Sequence, residues 1–382
     1  MEETFLALDF GSGQISAVLS IYDEDTNTCR VRYAMRKKCP SVNACYILDF
    51  DKTVQAVSEL LAETNEYAKF TPTMVVGLRG EFVNFIRSNG DLTLKNHNIV
   101  NKKDIKAVLD ESVPKTLNEE MEVVHLLPQR FLLDGTERSN PEGLSGNWLE
   151  ADSFVSYVLS SHLTNLNRVL AAVGYEDCEF IPTVITLCDT LLKPEEKQAR
   201  TLLLDIGGQH SSAALYHKGI LEGAWEIPFG AEYIPQEVAE VLQIDLSEAK
   251  NLLKTYEYGN DEVMDDLLDE AAKSLVVRLH KEFTQALSYI KYPPQQAVLT
   301  GGGADIILRN ALKSGLGLRR VRLATHDGLI ADSEDMLAPV YTSALSLSLY
   351  SQRNGTQLRG GSARKSAAKG LFNKVLTKLG LN

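Results

Sequence analysis

The sequence predicts an α/β fold in two similar halves, with an inserted α/β subdomain and an amphipathic helix at the C-terminal end. Three observations lead to it. One plan of strands, a glycine turn and helices occurs at the start of the chain and again near residue 200. Strand-like runs alternate with helical ones throughout. Residues 83–160 interrupt the repeat and look foreign to it.

Residues 4–9 form an apolar run that reads as a buried strand. It breaks at Phe10-Gly11-Ser12-Gly13, resumes at 15–22, and a third strand follows at about 29–35. An amphipathic helix is predicted over 52–67. In the foreign segment, 102–111 has a helical pattern, 122–127 and 129–133 read as two strands, and 135–146 is rich in turn residues. The second copy opens with a strand at 201–205 and the turn Ile206-Gly207-Gly208-Gln209. Strands at 212–216 and 219–227 follow, then helices within 231–256. Residues 261–290 predict one long helix, terminated by Pro293-Pro294. A short strand at 297–299 runs into Thr300-Gly301-Gly302-Gly303-Ala304 and a helix from Asp305.

This divides the chain into a first lobe (1–82, 161–195 and 338–350), the insertion (83–160) and a second lobe (196–258 and 296–337). A reduced subdomain (259–295), a flexible linker (351–366) and a terminal helix (367–382) complete it. In the last of these, Leu371, Phe372, Val375, Leu376 and Leu379 fall on one helical face, opposite Lys374 and Lys378. A basic amphipathic helix suits an anionic membrane surface; the other reading is a helix docked on the body or on a protein partner.

Charge and composition narrow the classes. Net charge is −12, yet the segment from Arg353 onward carries only basic residues, so the body is more acidic still. An acidic body argues against nucleic acid as a partner, and a basic tail asks for an anionic one. No run of about 18 apolar residues occurs, so no membrane-spanning helix is expected. The opening residues lead straight into a strand without an export signal. Five cysteines without a CxxC pair suit reduced thiols in a cytoplasm. The seven histidines show no metal-ligand spacing.

The chemistry lies in three glycine turns. They are Asp9-Phe10-Gly11-Ser12-Gly13 with Gln14, Asp205-Ile206-Gly207-Gly208 with Gln209, and Gly301-Gly302-Gly303. Glycines at strand ends let backbone N–H groups approach phosphate oxygens, and a helix starting after Gly303 adds its positive end. Asp9 and Asp205 on facing hairpins could hold Mg2+ through water. Together they describe a nucleotide cleft between two halves.

This arrangement resembles the actin, sugar-kinase and heat-shock-chaperone superfamily, whose halves are ribonuclease H-like. Residues 9–14 resemble its first phosphate loop, 205–212 its second, 298–304 its adenosine loop and 338–344 its closing helix. Within it, Leu127-Pro128-Gln129-Arg130-Phe131-Leu132-Leu133-Asp134-Gly135, Asn140-Pro141-Glu142-Gly143-Leu144-Ser145-Gly146 and Ile227-Pro228-Phe229-Gly230-Ala231 resemble the FtsA family of bacterial cell-division proteins. The resemblance implies an actin-like protein that binds ATP with Mg2+ and self-associates. It implies attachment to the cytoplasmic side of the cell membrane at the division site. It also implies a grip on the FtsZ C-terminal tail, and recruitment of later division proteins through the insertion. Lys254 would fall near the ribose.

The sequence departs from the family in three places. The second phosphate loop reads Gln209-His210-Ser211-Ser212 where the family has glycine, small hydroxyls and an acid. Ile181 precedes Pro182 where the family has a glutamate that orients the attacking water, with Glu179 as the other possible counterpart. ATP hydrolysis is therefore expected to be very slow or absent. The strand hairpin that the family carries after Tyr258-Gly259 has no room here, which bears on the FtsZ contact. Two further readings stand beside this one, a PilM-like pilus-assembly homologue and a small-molecule kinase.

Overall fold

The structure is a computed structural model and describes residues 2–23, 28–68, 71–94, 99–287 and 293–354. The predicted terminal helix, with Leu371, Phe372, Lys374, Val375, Leu376, Lys378 and Leu379, lies outside the described residues.

The first lobe opens with β1 (Glu2–Phe10), β2 (Gln14–Asp23) and β3 (Thr28–Lys38), then the small hairpin β4 (Val42–Asn43) and β5 (Tyr46–Ile47). Helix α1 (Phe50–Asn65) and β6 (Thr73–Leu78) follow. The insertion comprises β7 (Val83–Thr93), α2 (Lys102–Glu111), β8 (Met121–Leu133), β9 (Thr136–Arg138) and β10 (Trp148–Leu159). The chain returns through α3 (Ser160–Ala172), β11 (Glu179–Pro182), α4 (Thr183–Leu191) and α5 (Pro194–Gln198). The second lobe holds β12 (Thr201–Ile206), β13 (Ser211–His217), β14 (Ile220–Ile227), α6 (Tyr233–Leu242), α7 (Leu246–Thr255) and α8 (Glu262–Leu287). Then come β15 (Gln296–Thr300), α9 (Ile306–Gly315), β16 (Arg320–Leu323), β17 (Leu329–Ala331) and α10 (Thr342–Asn354).

The duplication is visible in the topology. One sheet runs β11-β6-β1-β2-β3-β17, the other β14-β13-β12-β15-β16. In both, a three-stranded antiparallel meander continues from its first strand into two parallel strands. The sheets pack face to face through α4 and α10, around a core that joins Phe5, Ala7 and Val75 to Leu203, Ala214 and Val298. Separate apolar clusters lie on the outer face of each sheet, under α1 and α3 in the first lobe and under α8 and α9 in the second. The insertion folds as its own sheet, β7-β10-β8-β9, with α2 packed on one face. Among the described residues no strand lies between α7 and β15, so this part of the second lobe is a small helical layer.

Three expectations are corrected. Residues 122–127 and 129–133 are one strand, β8, continuous through Pro128. The register against β10 skips Gln129, a bulge that accommodates the missing proline N–H. It also aims the Gln129 side chain outward, where its Oε1 accepts from Leu221 N of β14 at 2.7 Å. Second, the chain re-enters the first lobe before residue 338, because β17 pairs in parallel with the edge of β3. Third, residues 351–354 are helix rather than linker. Ser351 and Gln352 are buried, and Gln352 Nε2 donates to Ser20 Oγ at 2.8 Å.

Buried thiols carry no obvious chemistry. All five cysteines are free, and burial pushes Cys45, Cys178 and Cys188 up to about 12. His125 reaches Tyr350 Oη at 2.8 Å, whereas Asp134 accepts from the amides of Asn147 and Trp148, so the two do not meet.

His326 sets an acid limit on the packing of α10. Its Nε2 lies 2.9 Å from Ser346 Oγ, and burial, aided by Arg353, lowers its pKa to about 4. An unfolded histidine protonates near 6.5, so between that pH and about 4 the unfolded chain binds more protons than the native one. Native stability therefore falls as pH drops through this window, by at most about 3 kcal/mol from this group. Urea titrations at pH 7 and pH 5 should show the loss, and His326→Gln should diminish it.

Candidate functional site

The two lobes meet at the C-terminal ends of β1 and β12. Asp9 and Asp205 are the penultimate residues of those strands, and both are buried. Between them stands Arg79, the residue that follows β6. Its Nη2 lies 3.0 Å from Asp9 Oδ1 and 3.4 Å from Asp205 Oδ2, and donates to Ser343 Oγ of α10 at 2.7 Å. Arg79, only 7% exposed, thus bridges both lobes and the helix packed between them.

A second ionic group adjoins the first. Glu226 of β14 faces Ser212 across the β13–β14 ladder. Its Oε2 accepts from Ser212 Oγ at 2.8 Å and from the Gly80 amide at 3.1 Å, and pairs with His210 Nε2. The acid that the family resemblance expects at 212 is thus supplied through space from the neighbouring strand. The residue after Arg79 donates to it, so β14 is tied to the first lobe at this point.

The electrostatics follow from burial. Burial is the largest influence on Asp9 and Asp205 and holds both carboxyls above the ordinary carboxylate range; Arg79 opposes the rise and Glu226 adds to it. Burial also disfavours the charged form of Arg79, but Asp9 and Asp205 more than offset this and hold its pKa above the ordinary arginine value.

The glycine turns lock together around these charges. Gly303 N donates to Ile206 O at 2.8 Å, Ala231 N to Gly207 O at 2.8 Å, and Glu232 N to Gly208 O at 2.8 Å. Gly301 has φ +96, and a Cβ there would lie 2.4 Å from Asp205 Oδ1, so only glycine fits. The first turn is closed by Gly11 N to Gln14 O at 2.9 Å and Gly13 N to Val42 O at 2.8 Å. The amides of Gly11, Gly13, Gly207 and Gly303 are therefore engaged in shaping the turns. Open space remains beside Gly13 and Gly302, where a Cβ would meet nothing within 4 Å. Ser12 and Gln14 are half-buried at the same turn. Gln209 Nε2 turns away to Glu232 Oε2 at 2.9 Å, and Lys250 Nζ pairs with Glu232 Oε1 at 3.2 Å. Lys254 lies exposed one turn along α7.

The register of the first sheet distinguishes Ile181 from Glu179. Asp9 pairs with Gly77, and Gly77 with Ile181, so the three form one row across β1, β6 and β11. Glu179 pairs with Val75, two residues back from that row, roughly 7 Å down the strand. The position level with Asp9 therefore carries an aliphatic side chain, which cannot serve as a general base.

Two implied ligands are tested by this geometry. The open space beside the first and third turns leaves room for a nucleotide. Mg2+ held between Asp9 and Asp205 does not fit, because Arg79 stands within ion-pair distance of both carboxylates. Among the described residues no group of three or more His, Cys, Asp or Glu is placed to hold a metal ion.

Sequence reasoning missed Arg79, Glu226 and Ser343. A faint signal existed for the first, a charged residue directly after the apolar run 73–78.

Two lobes of equivalent strand order, with acid-bearing hairpins and glycine turns meeting in the cleft, define a protein of the actin-like class. Residues 80–156 match the SHS2 domain inserted in FtsA. Within that class the chain is similar to the bacterial cell-division protein FtsA, as a divergent relative. It is 24% identical over 328 residues to FtsA of Enterococcus hirae, covering 79% of this chain and 74% of that one. It is 23% identical over 273 residues to FtsA of Bacillus subtilis, covering 70% and 61%. The fold is also similar to that in a PilM-PilN type IV pilus biogenesis complex, with TM-score 0.63 and 17% identity over 91% of this chain and 98% of that one.

Proposed function

We propose that the protein is a membrane-tethered actin-like scaffold of the division site. It holds FtsZ filaments to the cytoplasmic face of the cell membrane through the FtsZ C-terminal tail. It self-associates, and its inserted subdomain contacts later division proteins. ATP binds between the turns of Asp9, Gly11, Ser12, Gly13 and Gln14, of Asp205, Gly207, Gly208 and Gln209, and of Gly301, Gly302 and Gly303, and is turned over very slowly or not at all. The observation that carries the reading is the FtsA-type insertion within an actin-like lobe, in a chain similar to FtsA along most of its length.

Two features support the details. The segment 367–380 has the basic amphipathic pattern of an in-plane membrane helix. Val241, Leu242, Leu246 and Leu252 are exposed on α6 and α7, an apolar surface suited to a protein partner. One short helix binds membranes weakly, with each basic residue near an anionic surface worth about 1 kcal/mol, so stable attachment requires several tails on one assembly.

Co-sedimentation with anionic vesicles tests this. Full-length protein should pellet and carry a peptide of the FtsZ C-terminal tail with it. Phe372→Glu and a truncation after residue 354 should stay in solution while the body remains folded. Pelleting of the Phe372→Glu variant at the level of the full chain would remove the anchor. A second reading, a pilus-type actin homologue, draws on the fold similarity and the absence of a strand hairpin between α7 and β15 among the described residues. A soluble full chain that ignores the FtsZ peptide would favour it. A kinase reading is disfavoured by Ile181 standing level with Asp9.

A further inference from the structure

We propose that Arg79 is the resident cation of this cleft. It stands where a divalent ion would bridge the lobes, so that the lobes close, and nucleotide binds, without Mg2+. The nucleotide half rests on the functional reading above; the ion-pair half does not.

The geometry carries the argument. Nη2 lies 3.0 Å from an oxygen of Asp9 and 3.4 Å from an oxygen of Asp205, one carboxylate from each lobe. Mg2+ binds oxygen at about 2.1 Å in an octahedron and keeps several waters, and a hydrated ion cannot share those oxygens with a guanidinium already seated between them. The seat is built rather than incidental. Arg79 emerges from the end of β6 and is buried to 7% exposure. The same Nη2 donates to Ser343 Oγ of α10, and the next amide, Gly80 N, is fastened to Glu226 of the second lobe.

A guanidinium differs from a metal in two ways that matter here. It does not lose its proton, and it cannot leave with the nucleotide or be removed by a chelator. Without it, Asp9 and Asp205 would face each other as buried like charges across the lobe interface. The neighbouring Glu226 is likewise engaged within the chain, by His210, Ser212 and the Gly80 amide. The contact between the lobes is thus set by the polypeptide, and nucleotide turnover is not needed to open or close it.

The test uses the full-length protein and a fluorescent ATP analogue, titrated in millimolar EDTA and in millimolar MgCl2, with thermal unfolding followed in parallel. For the wild type, affinity should agree within about twofold between the two buffers, and the unfolding midpoint should not respond to MgCl2. Arg79→Ala should lose analogue binding in EDTA and regain it in MgCl2, and its midpoint should fall by on the order of 5 °C or more, since removing one partner of a buried ion pair exposes the other's desolvation cost. Arg79→Lys, which keeps the charge, should retain Mg2+-independent binding and guards against simple misfolding. Wild-type binding that tightens tenfold or more with MgCl2 overturns the proposal. So does an Arg79→Ala variant that binds in EDTA as the wild type does. If the wild type binds no analogue in either buffer, the nucleotide reading fails and the ion-pair half is decided by stability alone. Asp9→Asn with Asp205→Asn should then restore the midpoint lost in Arg79→Ala, and an Arg79→Ala midpoint equal to that of the wild type overturns it.

Discussion

Glu226→Ala is expected to lower stability by about 3–5 kcal/mol, the range for stripping one partner from a buried, hydrogen-bonded charge group. The Glu226 side chain is 2% exposed, and its Oε2 gathers Ser212 Oγ, the Gly80 amide and His210. Truncation leaves two buried donors and an imidazole facing a void, and it releases β14 from the loop that carries Arg79. Urea denaturation of the full-length protein measures the loss. Glu226→Gln separates shape from charge. The amide keeps an acceptor for Ser212 and Gly80, and it removes one of the negative charges that hold Asp9 and Asp205 above the ordinary carboxylate range. Its cost should stay below about 1 kcal/mol. Equal destabilisation by alanine and glutamine would show that charge, rather than hydrogen bonding, ties the lobes here.

Gly301→Ala should destabilise by about 3 kcal/mol and abolish any nucleotide binding. The residue sits at φ +96, a conformation that costs an L side chain about 1 kcal/mol or more. A methyl group would also lie 2.4 Å from Asp205 Oδ1 and 2.4 Å from Ile206 O, and these are a strand backbone and a buried carboxylate, so neither can yield cheaply. Gly302→Ala provides the control. A Cβ there meets nothing within 4 Å, and the cost should stay below about 1 kcal/mol. Denaturation midpoints of the two variants, compared side by side, check both the clash and the assignment of space to a ligand. If the two substitutions cost the same, the third turn is not the closely packed element described.

The recognisable parts of the fold are those that local chemistry writes into the chain. Apolar runs at 4–9 and 201–205, each ending in an acid and a glycine turn, gave away the duplicated strands β1 and β12. The proline pair at 293–294 marked the stretch where the long helix gives way to the next strand. Asp305 was legible as a helix start and caps α9 by accepting from Leu308 N at 2.7 Å. Less legible was anything that depends on which strands become neighbours. Nothing local in residues 329–331 says that they join the edge of β3, and nothing local in Ser351 and Gln352 says that both are buried, or that Gln352 reaches Ser20.

The same division runs through the site. Composition, glycine spacing and the paired Asp9 and Asp205 by themselves determined a two-lobed α/β protein with an acid-bearing glycine turn from each lobe at a shared cleft, because strand periodicity and glycine turns act over a few residues. Only the tertiary structure decided what stands in that cleft. Arg79 is 70 residues from Asp9 and 126 from Asp205 in the sequence, yet its Nη2 lies within 3.4 Å of both. The acid missing at Ser212 returns as Glu226 because β13 and β14 place those residues opposite each other. Ion pairing and cross-strand register are set by distance in space, and that distance exists only once the two sheets have packed together through α4 and α10.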